Sequence, residues 1–296
     1  MKSKEVVKHY YLMLLPGYIW LFIFSIIPMF GIVIAFEDYN PIQGIFHSQW
    51  IGLDNFKFMF SLSDSRIILF NTIFISILKI AGNLITALIF ALLLNELPFI
   101  KLKKWIQTVV YLPHFLSWVI LAGILLDIFA YDGPINQILF SFGNKPILFF
   151  ARPDLFPYLV VGSDVWKEFG YSAIIYLAAL TGIDPSLYEA SAIDGATRFQ
   201  RLRYITIPGI KSTILLITVL SLGNVLNAGF DQIFNLYNPL VYSTGDIIDT
   251  WVYRTGLLSM QYGLATAVGL LKSVVGFILI TLSYFLAYKF TDYRIF

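Results

Sequence analysis

Six stretches of this chain are apolar over lengths that match the thickness of a bilayer, which leaves it few ways to fold. They fall at roughly 11–36, 68–94, 106–130, 158–180, 212–237 and 264–288, each near or above the ~20 residues that a helix needs to cross hydrocarbon. Backbone polar groups find no water there, so each stretch must bond within itself as a helix. Charged residues make up 13% of the chain, about half the ~25% of an ordinary soluble domain. The expected fold is an all-α integral membrane protein with six transmembrane helices. One domain is expected over 1–296, with an N-terminal helix at 1–36, an outer segment at 37–67 and a transmembrane core over about 68–290.

Composition narrows the function. The net charge of +2 gives no electrostatic footprint for nucleic acid. The absence of cysteine rules out disulfides and thiolate metal sites. His9, His47 and His114 are scattered without ligand spacing, so no metal site is expected. No nucleophile–base pair or acidic metal motif is visible, so no catalytic residue is expected either.

The first apolar run follows Lys2, Lys4 and Lys8, as in a signal peptide. Its length of about 25 residues and the lack of a small-x-small cleavage site mark it as a retained helix. Basic residues then set the orientation. With the N-terminus inside, twelve of the twenty Lys and Arg residues fall on inside segments: Lys2, Lys4, Lys8, Lys101, Lys103, Lys104, Arg198, Arg201, Arg203, Lys211, Lys289 and Arg294. Five fall outside, and Lys79, Lys167 and Lys272 lie within spans. Both termini and the 181–211 loop are therefore expected in the cytoplasm.

The loop has legible local chemistry. Asp184 suits an N-cap and Pro185 a first helical position. Gly195 accepts the positive φ of a helix C-terminus. Thr197 suits the cap of a second helix, which Pro208 should stop. On the outer side, Asn40-Pro41 and Gly52-Leu53-Asp54 read as turns before a short helix. Ile247, Ile248, Trp251, Val252 and Leu258 recur at helical spacing. That segment either lies at the outer interface or packs against the spans.

The loop also carries Glu189-Ala190-Ser191-x-x-x-Gly195, followed after nine residues by Ile205-x-Ile207-Pro208. This resembles the EAA loop of bacterial ABC-importer permeases of the maltose-permease superfamily, with Ser191 and Ile207 as mild departures. Trp166-Lys167-Glu168-Phe169-Gly170, Phe230-Asp231-Gln232 and Asn238-Pro239-Leu240-Val241-Tyr242 are similar to the LplB-like branch of carbohydrate permeases. The resemblance implies that Tyr188, Glu189, Ala190, Ser191, Asp194 and Gly195 form a coupling helix-turn-helix that docks on a separate ATPase. It implies a second homologous permease, two ABC ATPase subunits, an extracellular solute-binding lipoprotein and an oligosaccharide substrate. The chain has no Gly-x-x-x-x-Gly-Lys-[Ser/Thr], so it is expected to bind no cofactor, with ATP and Mg on the partner ATPases. An ion-driven secondary transporter is the alternative, and it would leave the loop pattern unexplained.

Ionisable groups inside spans are functional candidates by default. Lys79, Lys167 and Lys272 crowd the outer half with Asp127, Asp164, Glu168 and Asp231. They either pair with one another or line a water-filled vestibule. Asn224, Asn227, Asp231, Asn235 and Asn238 on the fifth span fall within an arc of about 80° at 100° per residue. Such a stripe cannot face lipid, and its amides suit sugar hydroxyls. With Trp166, Lys167 and Lys79 it forms the expected substrate pathway. Trp166, Phe230 and Tyr237 offer ring faces for a sugar or for the interfacial belt.

Overall fold

The computed structural model describes residues 2–291; Arg294, counted above among the inside charges, lies outside them. In chain order, helix α1 (Val6–Phe36) leads to an antiparallel ribbon of β1 (Glu37–Asp38) and β2 (Gln49–Trp50), then to α2 (Asp54–Ser61). Next come α3 (Ser63–Asn95), α4 (Ile100–Phe115), α5 (Trp118–Ile128), α6 (Pro134–Ser141) and α7 (Phe156–Thr181). Then follow α8 (Pro185–Ile193), α9 (Arg198–Gly209), α10 (Lys211–Leu222), α11 (Phe230–Leu236), α12 (Ile248–Val252) and α13 (Tyr262–Thr291).

Among the described residues, α1, α3 and α13 are long and apolar enough to cross a membrane alone. The number rises to five if the bent pairs α4–α5 and α9–α10 each form one span. The α7 helix has the length, 26 residues, but carries Asp164, Lys167 and Glu168 in its middle.

Two of the expected straight spans are not straight. The third, 106–130, bends by 100° between α4 and α5. Leu116 and Ser117 are extended there, and Ser117 Oγ caps α5 by accepting from Ile120 N. The fifth, 212–237, breaks after Leu222, and helix resumes only at Phe230. Gly223, Asn224, Asn227 and Gly229 are all weak helix formers. Gly229 has φ +91°, a conformation that any Cβ would strain. The single-face stripe of Asn224, Asn227, Asp231, Asn235 and Asn238 is therefore not formed.

The chain divides into two compact units, Met1–Ser65 with Trp251–Ser273, and Arg66–Thr250 with Val274–Phe296. In the first, Asn55 Nδ2 donates to Ala35 O (3.0 Å) and Glu37 O (3.1 Å), tying α2 to the end of α1. Phe36 stacks on Trp50. Trp251 is buried, as are Ile247 and Ile248 in the second unit, whereas Leu258 is 65% exposed, so the segment that sequence left open between interface and packing is packed over its first turns and exposed at its end.

The second unit holds two apolar clusters. Ile75 of α3, Phe156 and Val160 of α7, and Ile233 and Leu236 of α11 form one. Ala87 and Ala91 of α3, Tyr176 and Leu180 of α7, and Ile210 form the other. Both clusters draw on α3 and α7, and Lys79 and Asn83 of α3 and Asp164 and Glu168 of α7 fall between them along these helices.

Candidate functional site

Between those clusters lies a cavity of about 330 Å³, at the small end of the ~300–1,000 Å³ usual for ligand sites. Helix α3 contributes Ser76, Lys79 and Asn83; α7 contributes Asp164, Glu168, Ser172 and Tyr176. Ser221, Asn224 and Asn227 enter from the end of α10 and the break that follows it. The four-residue spacing of Asp164, Glu168, Ser172 and Tyr176 puts them on one face of α7. Lys79 and Asn83 are likewise four apart on α3. That double spacing is the sequence signal for the cavity.

The charges are paired. Lys79 Nζ lies 3.2 Å from Asp164 Oδ1, donates to Ala228 O at 2.7 Å and donates to Gln232 Oε1. Asp164 Oδ2 accepts from Asn83 Nδ2 at 3.0 Å. Gln232 is fully buried and donates to Val160 O and Ser163 Oγ. Lys79 thus ties α3 to the non-helical break, where the backbone carbonyl of Ala228 has no helical donor. Irregular backbone at membrane depth needs such a partner.

A second pair sits one turn along α7. Lys167 Nζ donates to Glu168 Oε1 (2.7 Å) and His114 O (2.8 Å) and stands 5.5 Å from the Trp118 ring centre. Glu168 Oε2 lies 2.6 Å from His114 Nδ1. The His114 ring stacks on Tyr171 at 3.9 Å. Sequence reading missed His114, Gln232 and Asn83, because their partners lie far away along the chain.

The other expected pathway residues are dispersed. Asn224 and Asn227 line the cavity, and Asp231 is exposed and outside its lining. Asn235 Nδ2 donates to Asp231 O within its own helix. Asn238 Oδ1 accepts from Leu240 N, and its Nδ2 donates to Phe150 O at 2.9 Å, so it anchors a turn. Trp166 lines a different, largely apolar recess with Phe129, Phe150 and Tyr158. Phe230 stacks on Phe234, and Tyr237 meets Tyr242.

The 184–209 loop is a helix, a turn and a second helix. Asp184 accepts from Ser186 N at 2.9 Å, with Pro185 opening α8. This backbone hydrogen bond holds the Asp184 carboxyl below the usual carboxylate range. Ser191 Oγ donates to Tyr188 O. Gly195 ends the turn at φ +75°, with open space where a side chain would stand. Thr197 and Gln200 form a reciprocal capping box at the start of α9. Pro208 lies inside the last turn of α9, and the helix axis bends by 58° into α10. Tyr188 OH lies 2.9 Å from Thr206 Oγ1, which fixes α8 against α9. Glu189, Ala190 and Asp194 are exposed, and Ser191 is half-buried. Ile193 stands 87% exposed, unusual for an apolar side chain at a polar turn.

Residues 87–295 match the family model described as binding-protein-dependent transport system inner membrane component. The chain belongs to that family. It is a multi-pass permease component of the bacterial cytoplasmic membrane. Among curated members, it is 41% identical over 286 residues to the polygalacturonan/rhamnogalacturonan transport system permease protein YteP of Bacillus subtilis, covering 96% of this chain and 89% of the relative. It is 42% identical over 290 residues to protein LplB of the same organism, covering 98% and 91%. A permease chain in the crystal structure of a bacterial ABC transporter that imports the acidic polysaccharide alginate superposes with a TM-score of 0.89 at 36% identity, covering 98% of this chain and all of that one.

Proposed function

We propose that this chain is one of two homologous permeases that together form the path of an ABC importer. Its cargo is an oligosaccharide delivered by an extracellular binding lipoprotein. ATP and Mg are bound by two separate ATPase subunits, and this chain binds neither. The observation that carries the reading is similarity over nearly the full length to a permease named for polygalacturonan/rhamnogalacturonan transport.

In this reading the chain has six spans, with α7 as the fourth because its charged residues face the cavity and each other. Both termini and the 184–209 loop are cytoplasmic. The face that carries exposed Glu189, Ala190, Asp194 and Gly195 with half-buried Ser191 docks on an ATPase, since small residues let another backbone approach closely. Lys79, Lys167, Asn224 and Asn227 serve the pathway, the first two by holding its walls. Asp231, Asn235, Asn238 and Trp166 lie toward its approaches.

Uptake of labelled oligosaccharide into proteoliposomes holding the full complex tests this. Import should need ATP and binding protein and should stop with vanadate, which blocks ABC ATPases. Uptake that survives vanadate and collapses with an ionophore would instead favour the ion-driven alternative.

A further inference from the structure

We propose that the turn between β1 and β2 is a lipid anchor. Ile42 and Phe46 enter the headgroup region of the outer leaflet and hold the adjoining ends of α1 and α13 at the bilayer surface. The proposal goes beyond the import reading and takes from it only the orientation that puts this turn outside.

The depth of the turn follows from what holds its root. The ribbon starts where α1 ends, and Ile51 N and Gly52 N donate to Phe36 O at 2.9 and 3.0 Å. Phe36 stacks on Trp50. The start of α13 closes on the same place: a Cβ at Gly263 would stand 2.7 Å from Glu37 O, and Tyr39 meets Tyr262 edge to face. Both α1 and α13 are long and apolar enough to cross a membrane. The ribbon is therefore rooted between the ends of two spans, at the level where hydrocarbon gives way to headgroups. Trp and Tyr side chains favour that level, and Tyr39, Trp50 and Tyr262 stand there.

The chemistry of the turn fits lipid. Ile42 and Phe46 are each 95% exposed, so neither serves the core of its own unit. Yet the turn that carries them is held in shape. Asn40 N donates to Ser48 Oγ (3.1 Å), Ile42 N to Asn40 Oδ1 (2.9 Å) and Ser48 Oγ to Gly44 O (2.7 Å). Ordering a turn costs conformational entropy, and here its two most exposed apolar side chains return nothing within the protein. Residues 39–53 contain no Asp, Glu, Lys or Arg. Charge resumes only at Asp54 and Lys57, which pair with each other at 2.8 Å. A docking face for a soluble protein has a polar rim, and this run lacks charges to build one. In a headgroup layer the same run carries no ion out of water, and its apolar side chains gain by leaving water.

The test uses the complex of this chain with cysteine-free partner permease and ATPases, reconstituted in phosphatidylcholine–phosphatidylglycerol vesicles. Gln43→Cys places a thiol on the turn of a chain that has none, and an environment-sensitive fluorophore is attached to it. Lipid bearing a nitroxide high on its acyl chain should quench this probe at least ~2-fold more than it quenches the soluble glutathione adduct, since interfacial segments sit ~5–10 Å into the headgroup–acyl boundary. Adding Ile42→Asp and Phe46→Asp should return quenching to the level of the adduct. The unfolding midpoint should not move, because neither side chain is packed. A probe that lipid does not quench overturns the proposal, whether water or protein surrounds it. A response of such a probe to added binding protein would assign the turn to that partner instead. Quenching that survives both aspartates also overturns it, since the anchor would then lie elsewhere. Loss of quenching with a lowered midpoint counts against it as well, because the two side chains would then serve the fold.

Discussion

Lys79→Met should be among the most damaging single substitutions in the second unit, and Asp164→Asn should rescue it. The Lys79 side chain is 7% exposed and that of Asp164 16%, so neither is screened as a surface pair would be. Removing one partner of a buried ion pair typically costs ~3–5 kcal/mol, mostly from the stranded charge. Asp164 keeps the Asn83 amide at 3.0 Å, which argues for the lower end, ~3 kcal/mol. The same substitution strips the donor from Ala228 O and Gln232 Oε1, and each orphaned acceptor adds ~1 kcal/mol. Asp164→Asn alone leaves the ammonium two acceptors and an amide oxygen, so ~1–2 kcal/mol is expected. In the double variant no charge is stranded. Its destabilisation should fall below that of Lys79→Met alone, with a coupling of ~1.5–3 kcal/mol. Unfolding of the purified protein in mixed micelles, followed by tryptophan fluorescence, measures all four corners of the cycle. A Lys79→Met protein within ~0.5 kcal/mol of the parent, or a double variant as unstable as the sum of the singles, would refute the account of Lys79 as the tie across the broken helix.

Gly195→Trp should leave insertion and folding intact yet abolish transport. The position has φ +75°, where a side chain costs ~1–2 kcal/mol of backbone strain, and open space around it, so beyond that local strain its bulk collides only with a docked partner; wild-type uptake would count against docking there. Gly170→Ala should destabilise by ~1–3 kcal/mol, because a Cβ would stand 2.5 Å from the backbone carbonyl of Val110 and force α4 from α7; an unchanged unfolding midpoint would contradict that close approach. The Asp184 carboxyl is held below its usual range by the Ser186 N–H, so its capping contribution is present above the ordinary carboxylate pKa of ~3.9 and is lost as pH falls through the lower folded value. Amide exchange at Ser186 and Leu187, corrected for intrinsic rates, should therefore lose protection only in acid, and Asp184→Ala should remove the pH dependence.

What could be read from the order of residues was local. Apolar run length sets where helices cross hydrocarbon, and α1, α3 and α13 follow it directly. The caps of the loop were equally legible, since Asp184, Pro185, Gly195 and Thr197 act on backbone atoms within three residues of themselves. The break at 223–229 was written in Gly223, Asn224, Asn227 and Gly229, yet an apolar run on either side masked it. Helical periodicity carried across that break produced a stripe of five residues that does not exist. Asn235 and Asn238 turned out to serve backbone geometry.

Tertiary structure decided which charges meet. Nothing local to Lys79 selects Asp164, Ala228 O and Gln232, and nothing local to Glu168 selects His114. Those pairings depend on how α3, α4 and α7 pack around the broken helix. The same packing gathers Ser76, Asn83 and Tyr176 around a single cavity and leaves a buried polar atom on each without a protein partner. Membrane placement is a property of each segment's own transfer free energy, so it can be read one segment at a time. Charge compensation and orphaned polar atoms are properties of pairs brought together from distant segments, so they emerge only once the helices are packed.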